Sequence, residues 1–146
     1  ELPAARAAIE RSFAIQAEVH GNDRHPEAAA SLHAQGGILH ALGELPAARA
    51  AIERSLAIQA EVHRTDRHPN VAASLHVLGG ILHAQGDLRG ARAALEHSLA
   101  IKAEVYGTDR HPSIAVSLHS LAMVYLAENK PYDAAVLFRR ALDIEK

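Results

Sequence analysis

The chain has 146 residues, 49% of them hydrophobic but only 3% aromatic, and a formal net charge of -2. That balance fits a soluble domain with a core of Ala, Leu, Ile and Val, and it provides no basic footprint for nucleic acid or an anionic membrane. Without cysteine there is neither a disulfide framework nor a thiolate metal site, and charges or His interrupt every stretch approaching the roughly 18 apolar residues of a membrane span.

Self-similarity at a fixed period governs how the rest is read. The copies recur every 43 residues, and 1–43 differs from 44–86 only at Phe13/Leu56, Gly21/Arg64, Asn22/Thr65, Glu27/Asn70, Ala28/Val71, Ala34/Val77, Gln35/Leu78 and Leu42/Gln85. A third copy, 87–129, drifts after Ser117, and a partial fourth covers 130–146. The expectation is a single array over 1–146, about three and a half repeats excerpted from a larger repeat protein.

Taken in order, the first predicted helix spans 2–20, with Leu2, Ala5 and Ile9 on its apolar face. Asp23-Arg24-His25-Pro26 then opens a second helix over 26–42, because proline is tolerated in a first turn whose N–H would be unpaired anyway. Gly43-Glu44 stops that helix and starts a third over 45–63, where Leu45, Ala48, Ile52, Leu56 and Ala60 line one side and Arg49, Glu53 and Arg54 the other. Asp66-Arg67-His68-Pro69 begins the fourth, 69–85, whose predicted buried face is Val71, Leu75, Leu78, Gly79 and Leu82. Gly86-Asp87 leads into the fifth, 88–106, Asp109-Arg110-His111-Pro112 into the sixth, 112–128, and the seventh covers 131–145.

Leu118-x2-Leu121-Ala122-x2-Tyr125 followed by Ala134-x3-Phe138 resembles the tetratricopeptide repeat. Looser versions are Leu75-x2-Leu78-Gly79-x2-Leu82 with Ala91-x3-Leu95, and Leu32-x2-Gln35-Gly36-x2-Leu39 with Ala48-x3-Ile52. The long period and the Asp-Arg-His-Pro turn are similar to the repeats of kinesin light chains and bacterial signalling proteins, with one extra residue in the turn (Arg24, Arg67 or Arg110). The resemblance implies an all-α, right-handed solenoid of seven helices in antiparallel pairs. Gly36, Gly79 and Ala122, with Ala48, Ala91 and Ala134 opposite, are expected where paired helices approach most closely.

Eleven His draw attention, but most occupy repeated positions, so each set counts as one observation. In the family the first helix of each pair lines a concave groove; carried over, this implies groove positions His33, Gly37, His40, His76, Gly80, His83, His119 and Met123. Two readings stand side by side. One is a ladder of imidazoles that hydrogen-bonds a peptide, and the other is a solvated helix face copied by duplication. His33/His40 and His76/His83 are seven residues apart, about 10 Å along a helix, whereas chelation within a helix needs an i, i+4 pair, so no metal site and no cofactor are expected.

The Asp-Arg-His-Pro turn holds an acid, a base and a cation, yet its threefold recurrence at one helix boundary marks helix initiation, and no catalytic residue is expected. Glu10-Arg11, Glu53-Arg54 and Glu96-His97 read as solvated charges. The function implied is a scaffold for a protein or peptide, with cytoplasmic location favoured and no nucleic-acid or membrane partner. The alternative is a spacer or self-assembling rod, in which Leu2, Ala5 and Ile9 at one end and Ala134, Phe138, Ala141 and Leu142 at the other form apolar seams for an end-to-end or exchanged homo-oligomer.

Overall fold

The structure, a computed structural model, describes residues 4, 7, 26–65 and 67–145. Six helices are described in full: α1 (Pro26–Ala41), α2 (Leu45–His63), α3 (Pro69–Ala84), α4 (Leu88–Tyr106), α5 (Pro112–Ala127) and α6 (Pro131–Glu145). The expected helix over 2–20 lies outside the described residues apart from Ala4 and Ala7, both helical, so the count is six where seven were expected. Residues 1–66 and 67–146 form two compact units. In the first, α1 packs on α2; in the second, α3 pairs with α4 and α5 with α6, while α5 also packs on α4 and touches α3.

The pairs are made by one turn used three times. The Glu44, Asp87 and Lys130 N–H groups donate back to the carbonyls of Leu39, Leu82 and Tyr125 at 2.9, 2.9 and 2.8 Å. Gly43, Gly86 and Asn129 donate to His40, His83 and Leu126, each at 3.0 Å. This double closure of the last helical turn needs a left-handed residue, and Gly43, Gly86 and Asn129 have φ of 79°, 83° and 63°. The helix then reverses direction within three residues, which brings Gly36 and Gly79 against the Ile52 and Leu95 side chains of the partner helices.

At that contact the small residues are a steric requirement. A Cβ on Gly79 would lie 2.6 Å from Leu95 Cγ, and one on Gly36 would run into the Ile52 side chain. Ala48, Ala91 and Ala134, the expected counterparts, are fully buried, as is Ala122. The second unit builds one continuous core from Leu82, Leu95, Ile114, Leu118, Leu121 and Val124, continued by Leu137 of α6.

The trailing helices bury more polar surface than their apolar pattern suggests. On α2 the buried stripe is Ala48, Ala51, Ile52, Ser55, Ile58 and Gln59; the expected Ala60 is exposed, and Leu45 and Leu56 are half-buried. The shift has a cause: Ser55 Oγ donates to the Ala29 carbonyl at 2.7 Å and accepts from Gln59 Nε2 at 3.0 Å, so the buried hydroxyl both donates and accepts inside. Ser98 repeats the staple, donating to the Ala72 carbonyl at 2.7 Å. On α3, Leu78 is half-buried while Ala72, Ser74 and Ile81 join the buried set. Ala134 and Ala141, expected in an open end seam, are fully buried between α5 and α6; Phe138 is half-buried and Leu142 exposed. Leu2, Ala5 and Ile9 lie outside the described residues.

Candidate functional site

Each leading helix (α1, α3, α5) turns one stripe away from the core at i, i+3, i+7 and i+10. In the first unit it is Ala30, His33, Gly37 and His40, and in the second Ala73, His76, Gly80 and His83 on α3 and Val116, His119, Met123 and Leu126 on α5. All eight expected groove residues are on these stripes. His33, Gly37, His40, His76, Gly80 and His83 are half-buried, while His119 and Met123 are exposed. Gly37 has open space where a Cβ would stand, with nothing within 4 Å.

The stripe changes character along the chain. On α1 and α3 it is Ala, His and Gly; on α5 it presents Val116, Met123 and Leu126, exposed by 55%, 50% and 45%. Surface apolar side chains aligned on one helix face lower their free energy when a partner covers them.

The three histidines at equivalent positions do not do the same thing. His119 lies over α6, its Nε2 3.1 Å from Glu145 Oε1 and its ring centroid 5.5 Å from that of Phe138. His76 is directed instead into the seam between copies, where its Nδ1 lies 3.3 Å from Ser117 Oγ. Ser117 in turn accepts from Lys102 Nζ at 2.7 Å, and Lys102 also donates to the Ser113 carbonyl at 3.2 Å. Ser117 can pass its own hydrogen on to a neutral His76 with a free Nδ1 lone pair, or accept from Nδ1–H in the other tautomer. Burial, and then the Lys102 ammonium, hold His76 below the usual imidazole range; burial alone lowers His33 and Lys102.

Lys102 is the residue that sequence reasoning missed. Only 7% exposed, it occupies the register of Gln16 and Gln59 in the earlier copies, with Glu145 next in line. The available signal was that change from amide to ammonium four residues after Ser98, the same i, i+4 pair as Ser55 and Gln59. A serine beside a lysine of lowered pKa has the makings of a nucleophile and its base, but Ser117 is 0% exposed and no substrate reaches its Oγ. Among the described residues no three His, Asp, Glu or Cys side chains gather as metal ligands would.

The Asp109-Arg110-His111-Pro112 turn does start a helix. His111 Nδ1 accepts from the Ser113 N–H at 3.1 Å, and its ring stacks on Tyr106 with centroids 3.8 Å apart. His68 accepts from the Asn70 N–H at 3.1 Å in the preceding copy. Of the pairs read as solvated, Glu53, Arg54, Glu96 and His97 are exposed, and Glu10-Arg11 lies outside the described residues.

A family model described as "Tetratricopeptide repeat" matches residues 27–104 and again 70–146. Among solved structures, a kinesin light chain-like protein of Podosopora anserina with nearly identical TPR-like repeats is 31% identical, with a TM-score of 0.80 over 99% of this chain and 66% of its own. BtubC (BKLC) from P. vanneervenii superposes with a TM-score of 0.89 at 21% identity, over 99% of this chain and 56% of its own; this likeness concerns the fold alone. No curated protein matches the sequence. The chain therefore spans two thirds or less of these two structures.

Proposed function

Because the chain belongs to the tetratricopeptide repeat family, whose members generally act as interaction scaffolds, we propose that it binds a protein or peptide along the outward stripes of its leading helices and catalyses no reaction. The observation that carries this reading is the apolar stripe Val116, Met123 and Leu126 on α5, which the described residues leave exposed. His40 and His83 with Gly37 and Gly80 supply polar and close-approach positions on the earlier stripes. Among the described residues no helix is long and apolar enough to cross a membrane, and the net charge of -2 does not favour nucleic acid.

Random peptides displayed on phage and selected on the chain test the proposal. Met123→Glu, placed in solvent, should leave helicity unchanged and weaken selected peptides about tenfold or more, as should His40→Ala with His83→Ala to a smaller degree. Peptides that bind all variants equally would remove these stripes from the mechanism.

A second reading, association between copies, is favoured by Tyr132, Val136 and Leu142 on α6, exposed by 88%, 57% and 58%. Sedimentation over a wide concentration range should then show a dimer or larger species that Val136→Lys with Leu142→Lys disperses. A monomer at all concentrations would leave only the binding role.

A further inference from the structure

We infer that His76 offers a hydrogen-bond donor, oriented and polarised by Lys102 and Ser117 behind it, to a carboxylate on a segment bound along the α3 stripe. The assignment rests on the proposed binding role and gives one position of the stripes a ligand chemistry.

The orientation follows from the hydrogen of one hydroxyl. Ser117 is fully buried, with one hydrogen to give and lone pairs to receive. Its Oγ accepts from Lys102 Nζ at 2.7 Å, and among the described residues the acceptor in reach of its own hydrogen is His76 Nδ1 at 3.3 Å. If Nδ1 carried the proton, the oxygen would face two donors and its own hydrogen would be left unpaired in a closed seam, the costly case for a buried polar group. Hydrogen bonds running from Lys102 through Ser117 to Nδ1 satisfy every one of these atoms. Burial and then the Lys102 ammonium keep the ring neutral, so its single proton sits on Nε2.

Nε2 makes no hydrogen bond with the described residues and is not sealed from water, so on this half-buried stripe residue it opens outward. Lys102 gives hydrogens to the Ser113 carbonyl and to Ser117, with no carboxylate paired to it among the described residues. A chain of hydrogen bonds headed by a cation polarises every member in one direction, which strengthens the last donor, most of all toward an anion. Lys102 and Ser117 are thus positioning residues and His76 is the one that touches the ligand.

The other copies differ at this point. In the register of Lys102 the preceding copy has Gln59, which brings no charge, and the following copy has Glu145. Glu145 Oε1 lies 3.1 Å from His119 Nε2, so the corresponding donor on α5 already faces a carboxylate and a second one is repelled. A carboxylate is therefore drawn to α3, while the neighbouring α5 stripe offers Val116, Met123 and Leu126 to apolar side chains.

Nitrogen NMR of the free chain at pH 7.5 reads the tautomer: His76 should carry its proton on Nε2 and leave Nδ1 bare. Random peptides displayed on phage and selected on the whole chain read the ligand. Displayed peptides have no free C-terminus, so an enrichment of Asp or Glu identifies a side chain; tighter binding of synthetic peptides with a free C-terminus than of their amides identifies a chain end. Either preference should be about three- to tenfold, the range for one hydrogen bond. Lys102→Gln, which restores the amide of the preceding copy beside the same i, i+4 serine, should abolish it, as should His76→Phe. A proton on Nδ1, or a preference that survives Lys102→Gln, overturns the inference. Peptides that bind the stripes with no preference for a carboxylate overturn it while the binding role stands, and a chain that selects no peptide removes both. The tautomer and the parent's own peptide pool decide the matter even where a variant does not fold.

Discussion

Arg64 closes α2 in the left-handed region, with φ 54° and ψ 22°, where Gly107 closes α4 in the following copy with φ 67° and ψ 17°. A side chain with a Cβ is strained there by about 1–2 kcal/mol, so Arg64→Gly should stabilise the chain by about 1 kcal/mol in urea melts. Lys102 is the opposite kind of misfit, an ammonium held in a seam by two oxygens, with no carboxylate paired to it among the described residues. Its lowered pKa means that the cost of its charge is present at neutral pH and relieved only as pH rises through its folded value. His76, lowered by burial and then by Lys102, favours the neutral folded form; the stability it adds is full above pH 6.5 and lost as acid protonates it. Lys102→Met, which keeps the stem and deletes the charge, should therefore raise Tm at pH 7 and reduce the loss of Tm between pH 7.5 and 5.5. A larger loss in the variant would show that the ammonium is not what opposes His76 protonation. Arg64 was readable from the alignment of copies, as the Gly21/Arg64 difference, but the burial of Lys102 was not, because a lone lysine is by default a surface residue.

Helix boundaries were legible where Pro and Gly punctuate them: α1, α3 and α5 begin at Pro26, Pro69 and Pro112, and Gly43 and Gly86 follow α1 and α3. The faces were legible only in part. The resemblance to the repeat pattern picked out Gly36 and Gly79 as contact positions, but neither it nor apolar spacing could show that Ser55 and Ser98 would be taken inside, since their burial depends on carbonyls presented by a neighbouring helix. The candidate stripes were placed by resemblance; their differing partners, Ser117 for His76 and Glu145 for His119, depend on what stacks next. Two glycines one residue apart in register should respond in opposite senses. Gly79→Ala meets the fully buried Leu95 and should destabilise by about 1–3 kcal/mol, whereas Gly37→Ala enters open space and should gain up to about 1 kcal/mol of helix propensity. Denaturant midpoints at constant m-value report both. Ser98→Ala should cost about 1 kcal/mol by the same measurement, while the third pair already carries Ala141 at that register.

Across the second unit stability is a matter of neighbours. The buried residues of α5 (Ile114, Leu118, Leu121, Ala122 and Val124) sit in a core shared with α3, α4 and α6. Amides from Leu118 to Ala122 should consequently exchange last in that unit and those at the end of α6 early; uniform protection along α5 and α6 would contradict a stability built from nearest-neighbour contacts. A chain assembled from near copies faces a hazard that ordinary domains do not: a helix can dock where its twin belongs. The seam register 59, 102 and 145 carries an amide, an ammonium and a carboxylate in turn. A trailing helix that slipped by one copy would bring the wrong one of these into a closed seam, and an uncompensated buried charge is far more costly than a misplaced methyl. Lys102, a liability to local stability, is thereby the one difference between copies within 98–105, a stretch that otherwise repeats 55–62.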